Sequence, residues 1–255
     1  MKLDDFRDRK GKEKIVMLTA YDSQIAKILD QVDIDIILIG DSLGMVFQGN
    51  ANTRGVTMRD MVYHTQAVAR GANRTPIVAD MPFRSDSTVP VALRNARRLL
   101  EAGAQGVKIE GRKAEVINAL IEEGIPVMAH IGLLPQTATA YRLIGKTPED
   151  AERIMQDAIR LDGLGVFSMV LESIPEGLAK EITAAVRTPT IGIGAGKHCD
   201  GQVLVINDML GLDPTFTPKY LKRYADLSQI ITNAVVAFKR DVRGGEYPGP
   251  EQTYH

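Results

Sequence analysis

The sequence is poor in cysteine, in charge of one sign and in long apolar stretches, and each shortage excludes a class of protein. Cys199 is the only cysteine among 255 residues, which excludes an intrachain disulfide and a multi-cysteine metal site. The net charge is −1 and there is no long basic run, so nothing points to a nucleic-acid or membrane-surface partner. No apolar stretch approaches the roughly 18 residues of a membrane span, and the start is too charged for a secretory signal. We therefore expect a cytoplasmic protein.

The chain has the length and the alternating pattern of an α/β barrel. Its 255 residues match the roughly 250 of a (β/α)8 barrel. Short apolar runs alternate with amphipathic segments, which predicts parallel strands joined by helical crossovers. The predicted strands are 15–19, 34–40, 76–80, 106–110, 126–130, 166–172, 190–194 and 203–207.

We predict one domain over residues 1–255, a single (β/α)8 TIM barrel with a C-terminal helical extension at about 218–243. Apolar residues recur on one side of the segment 220–240, as in an amphipathic helix. Thr147 before Pro148 predicts a helix N-cap with proline at the first helical position. A doubly wound open sheet is the alternative, because the pattern does not reveal whether the sheet closes.

Polar side chains stand at the ends of five consecutive predicted strands, from the second to the sixth. Catalytic groups of parallel barrels come from this end of the strands, so we expect these side chains to meet at one rim. Several carboxylates with little histidine suit a hard cation, for which magnesium is the default. The residues are Asp41, Asp80, Lys108, Glu110, His130 and Glu172.

Each of these residues also has an ordinary structural interpretation. Asp41 or Asp80 could cap the next helix or pair with a basic neighbour. Lys108 and Glu110 share a face of their strand, so they could form a simple ion pair. Alternatively Glu110 binds metal while Lys108 neutralises a substrate carboxylate or a developing enolate. His130 could donate to a substrate oxygen or pack in the core against the backbone.

Several sequence blocks, taken in order along the chain, carry a family likeness. With these blocks the chain closely resembles the ketopantoate hydroxymethyltransferase family, from the first strand to the tail at 247–249. The Gly-Asp-Ser-Leu-Gly-Met block and the His-Ile-Gly-Leu-x-Pro-Gln block are together highly specific. The blocks are 18–22, 40–46, 63–64, 79–83, 107–111, 130–136, 170–172, 191–196 and 200–202.

The resemblance implies a (β/α)8 barrel of the phosphoenolpyruvate-mutase and isocitrate-lyase type. It also implies hydroxymethyl transfer from 5,10-methylenetetrahydrofolate to 3-methyl-2-oxobutanoate, giving 2-dehydropantoate in pantothenate and coenzyme A biosynthesis. Family members assemble as homodecamers, with keto acid and folate as small-molecule partners.

Matched position by position, the resemblance assigns a role to each candidate residue. Asp41, Asp80 and Glu110 resemble the family's Mg²⁺ ligands. Glu172 resembles its proton acceptor and is our candidate for the base that removes the C3 proton of the keto acid. The positions that resemble keto-acid contacts are Asp41, Ser42, Asp80, Lys108 and His130.

Three positions depart from the family pattern, namely Asp86, Arg112 and Leu134. They affect the expected packing of a lid and the folate side of the site, not the metal site.

Two other functions compete with the transferase. A lyase or mutase of the same superfamily would need no folate, but its cysteine-containing lid motif is absent. A barrel that only senses a small anion would not need a base beside the metal.

Overall fold

The computed structural model describes residues 3–254, and its first compact unit, which ends at Val205, is a closed barrel of parallel strands. Each strand pairs with the next along the chain, and β8 returns to β1. The (β/α)8 prediction is therefore confirmed and the open sheet is excluded. The strands are β1 Ile15–Thr19, β2 Ile36–Ile39, β3 Ile77–Asp80, β4 Gly106–Glu110, β5 Val127–Gly132, β6 Ser168–Glu172, β7 Thr190–Ile193 and β8 Gly201–Leu204.

Helices separate the successive strands except between β7 and β8, and several of them begin with a side-chain N-cap. Thr147 accepts a hydrogen bond from the backbone N–H of Asp150 and Pro148 is the first residue of its helix, as the sequence predicts. Asp22 caps the first helix in the same way. The helices of this unit are α1 Ser23–Gln31, α2 Leu43–Val46, α3 Met58–Ala69, α4 Val89–Glu101, α5 Ala114–Glu122, α6 Pro148–Leu164 and α7 Glu176–Ala185, with 3-10 turns at Leu3–Arg9 and Thr53–Gly55.

The eighth strand begins two residues earlier than the sequence pattern predicts. It starts at Gly201, which pairs with both Ile15 and Ile191. A Cβ atom at Gly201 would lie 2.3 Å from the backbone oxygen of Ile15, so only glycine allows the strands to approach this closely. A glycine carries no apolar signal, so the sequence pattern does not reveal this strand start.

The core fills the barrel and continues into the segment that precedes β1. Met17, Val78 and Met128 are buried members of one cluster, which also contains Phe6 from the N-terminal 3-10 turn. Gly106 at the start of β4 leaves room for Leu3, since a Cβ there would lie 2.6 Å from its Cδ1. The 3-10 turn therefore closes the end of the barrel at which the strands begin, and leaves the opposite rim for the site.

The second compact unit begins at Ile206. It contains α8 Ile206–Met209, α9 Leu227–Gly244 and a 3-10 turn at Pro250–Gln252. Helix α9 starts later than the predicted 220, because Asp226 caps it by accepting from the backbone N–H of Gln229. Within residues 3–254 no helix is long and apolar enough to cross a membrane.

Candidate active site

Strand register places the candidate side chains next to one another at one rim. Asp80 lies opposite Lys108 in the β3–β4 pair, and Glu110 lies opposite His130 in the β4–β5 pair. Glu172, the last residue of β6, is paired with Gly132. Parallel neighbours are separated by about 4.8 Å, so pairing in register brings these groups within contact distance. The expectation that five strand ends converge at one rim agrees with this register.

Asp41, Asp80 and Lys108 form the first half of the cluster, and all three are buried. The Lys108 ammonium lies 2.9 Å from Asp80 Oδ1, and the backbone N–H of Asp41 donates to Asp80 Oδ2 over 3.0 Å. Burial and the charges of Asp80 and Glu110 raise the pKa of Asp41 well above its usual value. Burial opposes the charge on Lys108, but the surrounding carboxylates outweigh it and raise the Lys108 pKa. Lys108 therefore stays protonated.

His130 lies between two carboxylates in the second half of the cluster. Its Nδ1 lies 3.6 Å from Glu110 Oε1 and its Nε2 lies 3.2 Å from Glu172 Oε2. Burial, reinforced by Lys108, lowers the pKa of His130 well below its usual value, so the imidazole is neutral. Among residues 3–254 the buried Nε2 has no partner in hydrogen-bond geometry. A neutral ring whose Nε2 faces the Glu172 carboxyl group is compatible with the substrate-contacting interpretation, which stays a prediction.

The two glutamates have pKa values displaced toward neutrality. Burial, opposed by Lys108 and reinforced by Asp80, raises the pKa of Glu172 to about 8. Burial raises the pKa of Glu110 to about 7, although Lys108 and the backbone N–H of Gln136 act in the opposite direction. Carboxylic groups with such values can exchange protons near neutral pH.

Ser42 joins the cluster from the loop after β2. Its Oγ lies 2.9 Å from the hydroxyl oxygen of Tyr21. A Cβ atom at Gly40 would lie 2.6 Å from that Oγ, so the glycine keeps space for the serine. The Gly-Asp-Ser sequence therefore packs Ser42 tightly against the end of β2, next to Asp41.

Three residues at the site had no role assigned from the sequence. Gln136 donates its side-chain amide to Asp41, and Arg54 donates to the Gln136 carbonyl oxygen. The Tyr141 hydroxyl contacts Met45 Sδ; burial and the site carboxylates raise the Tyr141 pKa to about 12. Gln136 is the last residue of the His-Ile-Gly-Leu-x-Pro-Gln block, and Arg54 lies in the loop after β2. The position of a residue in a block or loop does not reveal which strand end its side chain reaches.

The donor set fits a hard divalent cation held partly by substrate. No three carboxylate, imidazole or thiol groups within residues 3–254 stand at the spacing of a complete metal centre. Magnesium does not need one, since it usually keeps several waters and binds through one or two carboxylates plus substrate oxygens. Asp41, Asp80, Glu110 and Glu172 surround the single ammonium of Lys108, so the cluster has an excess of negative charge when ionised. A divalent cation would balance it.

A cleft of about 340 Å³ opens beside Glu110, between the loops that follow β3, β4 and β5. Phe83 provides apolar surface in the cleft, and Asp86, which also lines the cleft, pairs with Lys113 at 2.6 Å. All three positions that depart from the family pattern, Asp86, Arg112 and Leu134, line this cleft. The cleft has room for part of a second organic substrate next to the acidic cluster.

Comparison with known proteins gives a full-length match. A family model described as ketopantoate hydroxymethyltransferase matches residues 1–250. The chain is 49% identical over 255 residues to the 3-methyl-2-oxobutanoate hydroxymethyltransferase of Caldicellulosiruptor saccharolyticus, covering 98% of this chain and 97% of that one. It is 48% identical to the protein of the same name from Thermotoga neapolitana, covering 100% of this chain and 96% of the relative.

Solved structures with a similar fold have much lower sequence identity. The phosphonopyruvate hydrolase complex with oxalate and Mg²⁺ aligns with a TM-score of 0.64 at 12% identity, covering 99% of this chain and 93% of that chain. The 2,3-dimethylmalate lyase, a PEP mutase/isocitrate lyase superfamily member, aligns with a TM-score of 0.63 at 14% identity, covering 98% and 93%. At these identities the likeness shows the fold, and it confirms the predicted barrel type.

Proposed function

The chain belongs to the ketopantoate hydroxymethyltransferase family and transfers a hydroxymethyl group to 3-methyl-2-oxobutanoate in pantothenate synthesis; we propose that 5,10-methylenetetrahydrofolate supplies the carbon and that magnesium assists enolisation of the keto acid. The observation that carries this mechanism is the placement of Glu172. Its carboxyl group, with a pKa of about 8, lies beside a neutral His130 and a buried cluster of hard oxygen ligands.

We assign the binding of the keto acid and the cation to the first half of the cluster. Asp41, Asp80 and Glu110 would hold magnesium, one or two of them directly and the rest through its bound waters. The keto acid would contact Asp41, Ser42, Asp80, Lys108 and His130. When bound by the keto acid and these carboxylates, magnesium withdraws electron density from the carbonyl group and makes the C3–H bond acidic. The phosphonopyruvate hydrolase complex with oxalate and Mg²⁺ supports a metal in this fold, because oxalate carries adjacent carboxylate oxygens.

The protein's own groups then move the proton and hold the charge. Glu172 removes the C3 proton, and Lys108 neutralises negative charge on the carboxylate or on the developing enolate oxygen. The neutral ring of His130 can donate a hydrogen bond to a substrate oxygen without competing for the C3 proton. C3 forms the new carbon–carbon bond to the methylene carbon, and both bonds from that carbon to the folate nitrogens break. Water supplies the hydroxyl group, and the C3 proton and the second proton of water end on the two nitrogens of tetrahydrofolate.

The cleft beside Glu110 is the proposed entry for the folate. It adjoins the acidic cluster through Glu110 and Gln136 and reaches outward to Arg84, Arg112 and Lys113. Holding both substrates in one cleft would supply much of the rate, because the reacting carbons are brought together before the chemical step.

The defining experiment incubates the protein with 3-methyl-2-oxobutanoate and methylenetetrahydrofolate, with and without magnesium. We expect 2-dehydropantoate only when all three are present. Breakdown of a keto acid without the folate would instead support a lyase. Binding of the keto acid without any C3 proton exchange would support the anion sensor.

Calorimetry tests the proposed chelation directly. Asp80→Ala should weaken magnesium-dependent binding of the keto acid, because the variant loses a cation ligand and leaves Lys108 without its 2.9 Å partner. The matched control is Asp4→Ala, an exposed acid in the turn that closes the opposite end of the barrel. Equal affinity of the Asp80 variant and the unaltered protein would contradict the chelation scheme.

We further propose a homodecamer and place it in the cytoplasm, where the free thiol of Cys199 would stay reduced. The support is an apolar stripe on α9, formed by Ile231, Val235, Phe238 and Val242, each between 46% and 58% exposed. The residues of the stripe recur at three- and four-residue spacing, and the stripe needs a partner. A second copy of the chain is our candidate.

Light scattering should give the mass of ten chains, and Val235→Glu should reduce this mass. A monomer at micromolar concentration would refute the assembly.

A further inference from the structure

Gln136 donates hydrogen bonds to groups at the ends of three strands of the site, β2, β3 and β4. Its Nε2 donates to Asp41 Oδ2 over 2.7 Å and to the Met81 carbonyl oxygen over 2.9 Å. Its backbone N–H donates to Glu110 Oε2 over 3.1 Å. The residue is 3% exposed, so these contacts are made away from bulk water. Gln136 thus holds two carboxylates that belong to different strands.

A neutral amide suits this position better than a charged group. The two N–H groups of the amide match one carboxylate and one carbonyl oxygen, which satisfies both donors. A lysine here would place a second cation among the carboxylates and compete with a metal. An acid would lose both donors and add like charge beside Asp41. Gln136 therefore orients the carboxylate of Asp41 while leaving the negative charge of the cluster intact.

Arg54 fixes the backbone of Gln136 from the opposite loop. Its Nε donates to the Gln136 carbonyl oxygen over 3.1 Å and its Nη2 to the Ala138 carbonyl oxygen over 2.7 Å. Asn52 caps the short turn that carries Arg54, accepting from its backbone N–H over 3.0 Å. The loop after β2 is in this way attached to the loop after β5 by a side chain that grips main-chain oxygens.

We propose that Gln136 is a positioning residue that orients Asp41 and Glu110 for a divalent cation, and that Arg54 holds Gln136 in place. The inference rests on the proposed metal-assisted function, which it deepens by naming residues outside the ligand set. Gln136 acts through the carboxylates that it contacts. Partners of this kind that orient metal ligands typically contribute about 10- to 100-fold to metal affinity.

Isothermal titration with Mg²⁺, with the keto acid at a fixed saturating concentration and folate absent, tests the proposal. Gln136→Met preserves the length of the side chain and removes both donors, whereas the backbone N–H to Glu110 remains. We expect the Mg²⁺ dissociation constant to rise about tenfold or more. In steady-state assays, KM for the keto acid should rise at limiting Mg²⁺, and kcat should return to within about threefold of the unaltered enzyme at saturating Mg²⁺.

A second variant and a control keep the test decisive if Gln136→Met folds poorly. Arg54 is exposed, so Arg54→Met should fold, and it should weaken Mg²⁺ binding in the same direction by about three- to tenfold. The control is Gln105→Met. Gln105 also bonds two main-chain groups, Ile77 N and Gly103 O, but at the starts of β3 and β4. Its loss should lower thermal stability and leave the Mg²⁺ affinity unchanged.

Two results would overturn the inference. One is a Gln136→Met variant that folds and has a Mg²⁺ dissociation constant within twofold of the unaltered protein. The other is a kcat that stays low at saturating Mg²⁺, which would place Gln136 on the substrate itself. An unaltered protein that binds Mg²⁺ but makes no 2-dehydropantoate would refute the proposed function and leave this test intact. A protein that binds no divalent cation even when the keto acid is present would refute both.

Discussion

Replacing Glu172 by glutamine tests the proposed base most directly. The change preserves the size of the side chain at the end of β6, but an amide cannot accept the C3 proton. Removal of a positioned general base typically costs about 10²- to 10⁴-fold in rate. We expect exchange of the C3 hydrogen of 3-methyl-2-oxobutanoate to fall by at least a hundredfold in Glu172→Gln, while Mg²⁺ binding is retained.

The pH dependence of the exchange adds a quantitative expectation. Glu172 is active only as the carboxylate, so the rate must rise with pH through its pKa of about 8. About one tenth of the groups are ionised at pH 7 and about half at pH 8, so the rate should rise roughly fivefold over this interval and level off above about pH 9. The exchange that remains in Glu172→Gln should lack this rise.

Proton NMR in deuterium oxide measures the exchange through loss of the C3–H signal, with Mg²⁺ present and folate absent. Glu176→Gln is the matched control, because Glu176 is a half-exposed glutamate at the start of α7 that faces His198. The Glu176→Gln variant should catalyse exchange of the C3 hydrogen at the rate of the unaltered protein. Exchange in Glu172→Gln at the rate of the unaltered protein would remove Glu172 from the role of base, and a flat profile between pH 7 and 9 would refute the raised pKa.

The remaining predictions concern stability and the geometry of the rim. Without added metal, Lys108→Met should lower the free energy of unfolding by about 3 kcal/mol, because the buried Asp80 loses its counter-charge; an unchanged denaturation midpoint would contradict this. Gly132→Ala should lower the exchange rate and the melting temperature, since Gly132 has φ +94° and a Cβ atom would lie 2.3 Å from the backbone oxygen of Glu172; normal values of both would refute that steric argument. Phe167→Ala, in the barrel core, should cost about 3–5 kcal/mol in urea denaturation without changing the pH profile; a loss below about 1 kcal/mol would show that the core repacks.

The fold follows largely from local patterns in the sequence. Apolar runs alternating with amphipathic helices predict parallel strands and crossovers, and cap residues such as Thr147 mark helix starts. Closure of the sheet depends on the pairing of β8 with β1, which joins residues almost 190 positions apart. No local periodicity reports that pairing. Local pattern also does not mark the strand start at Gly201, because a glycine is required there by the close approach of the Ile15 backbone.

The sequence by itself determined which chemistry is available, because strand-end acids, Lys108 and His130 can be read as residue types at fixed positions. The tertiary structure alone decided which groups touch. Register set Asp80 beside Lys108 and Glu110 beside His130, and burial displaced the pKa of Glu172 to about 8. The tertiary structure also brought Gln136 and Arg54, 82 residues apart in sequence, onto the same rim. Hydrogen bonding and desolvation depend on neighbours in space, and those neighbours come from distant parts of the chain.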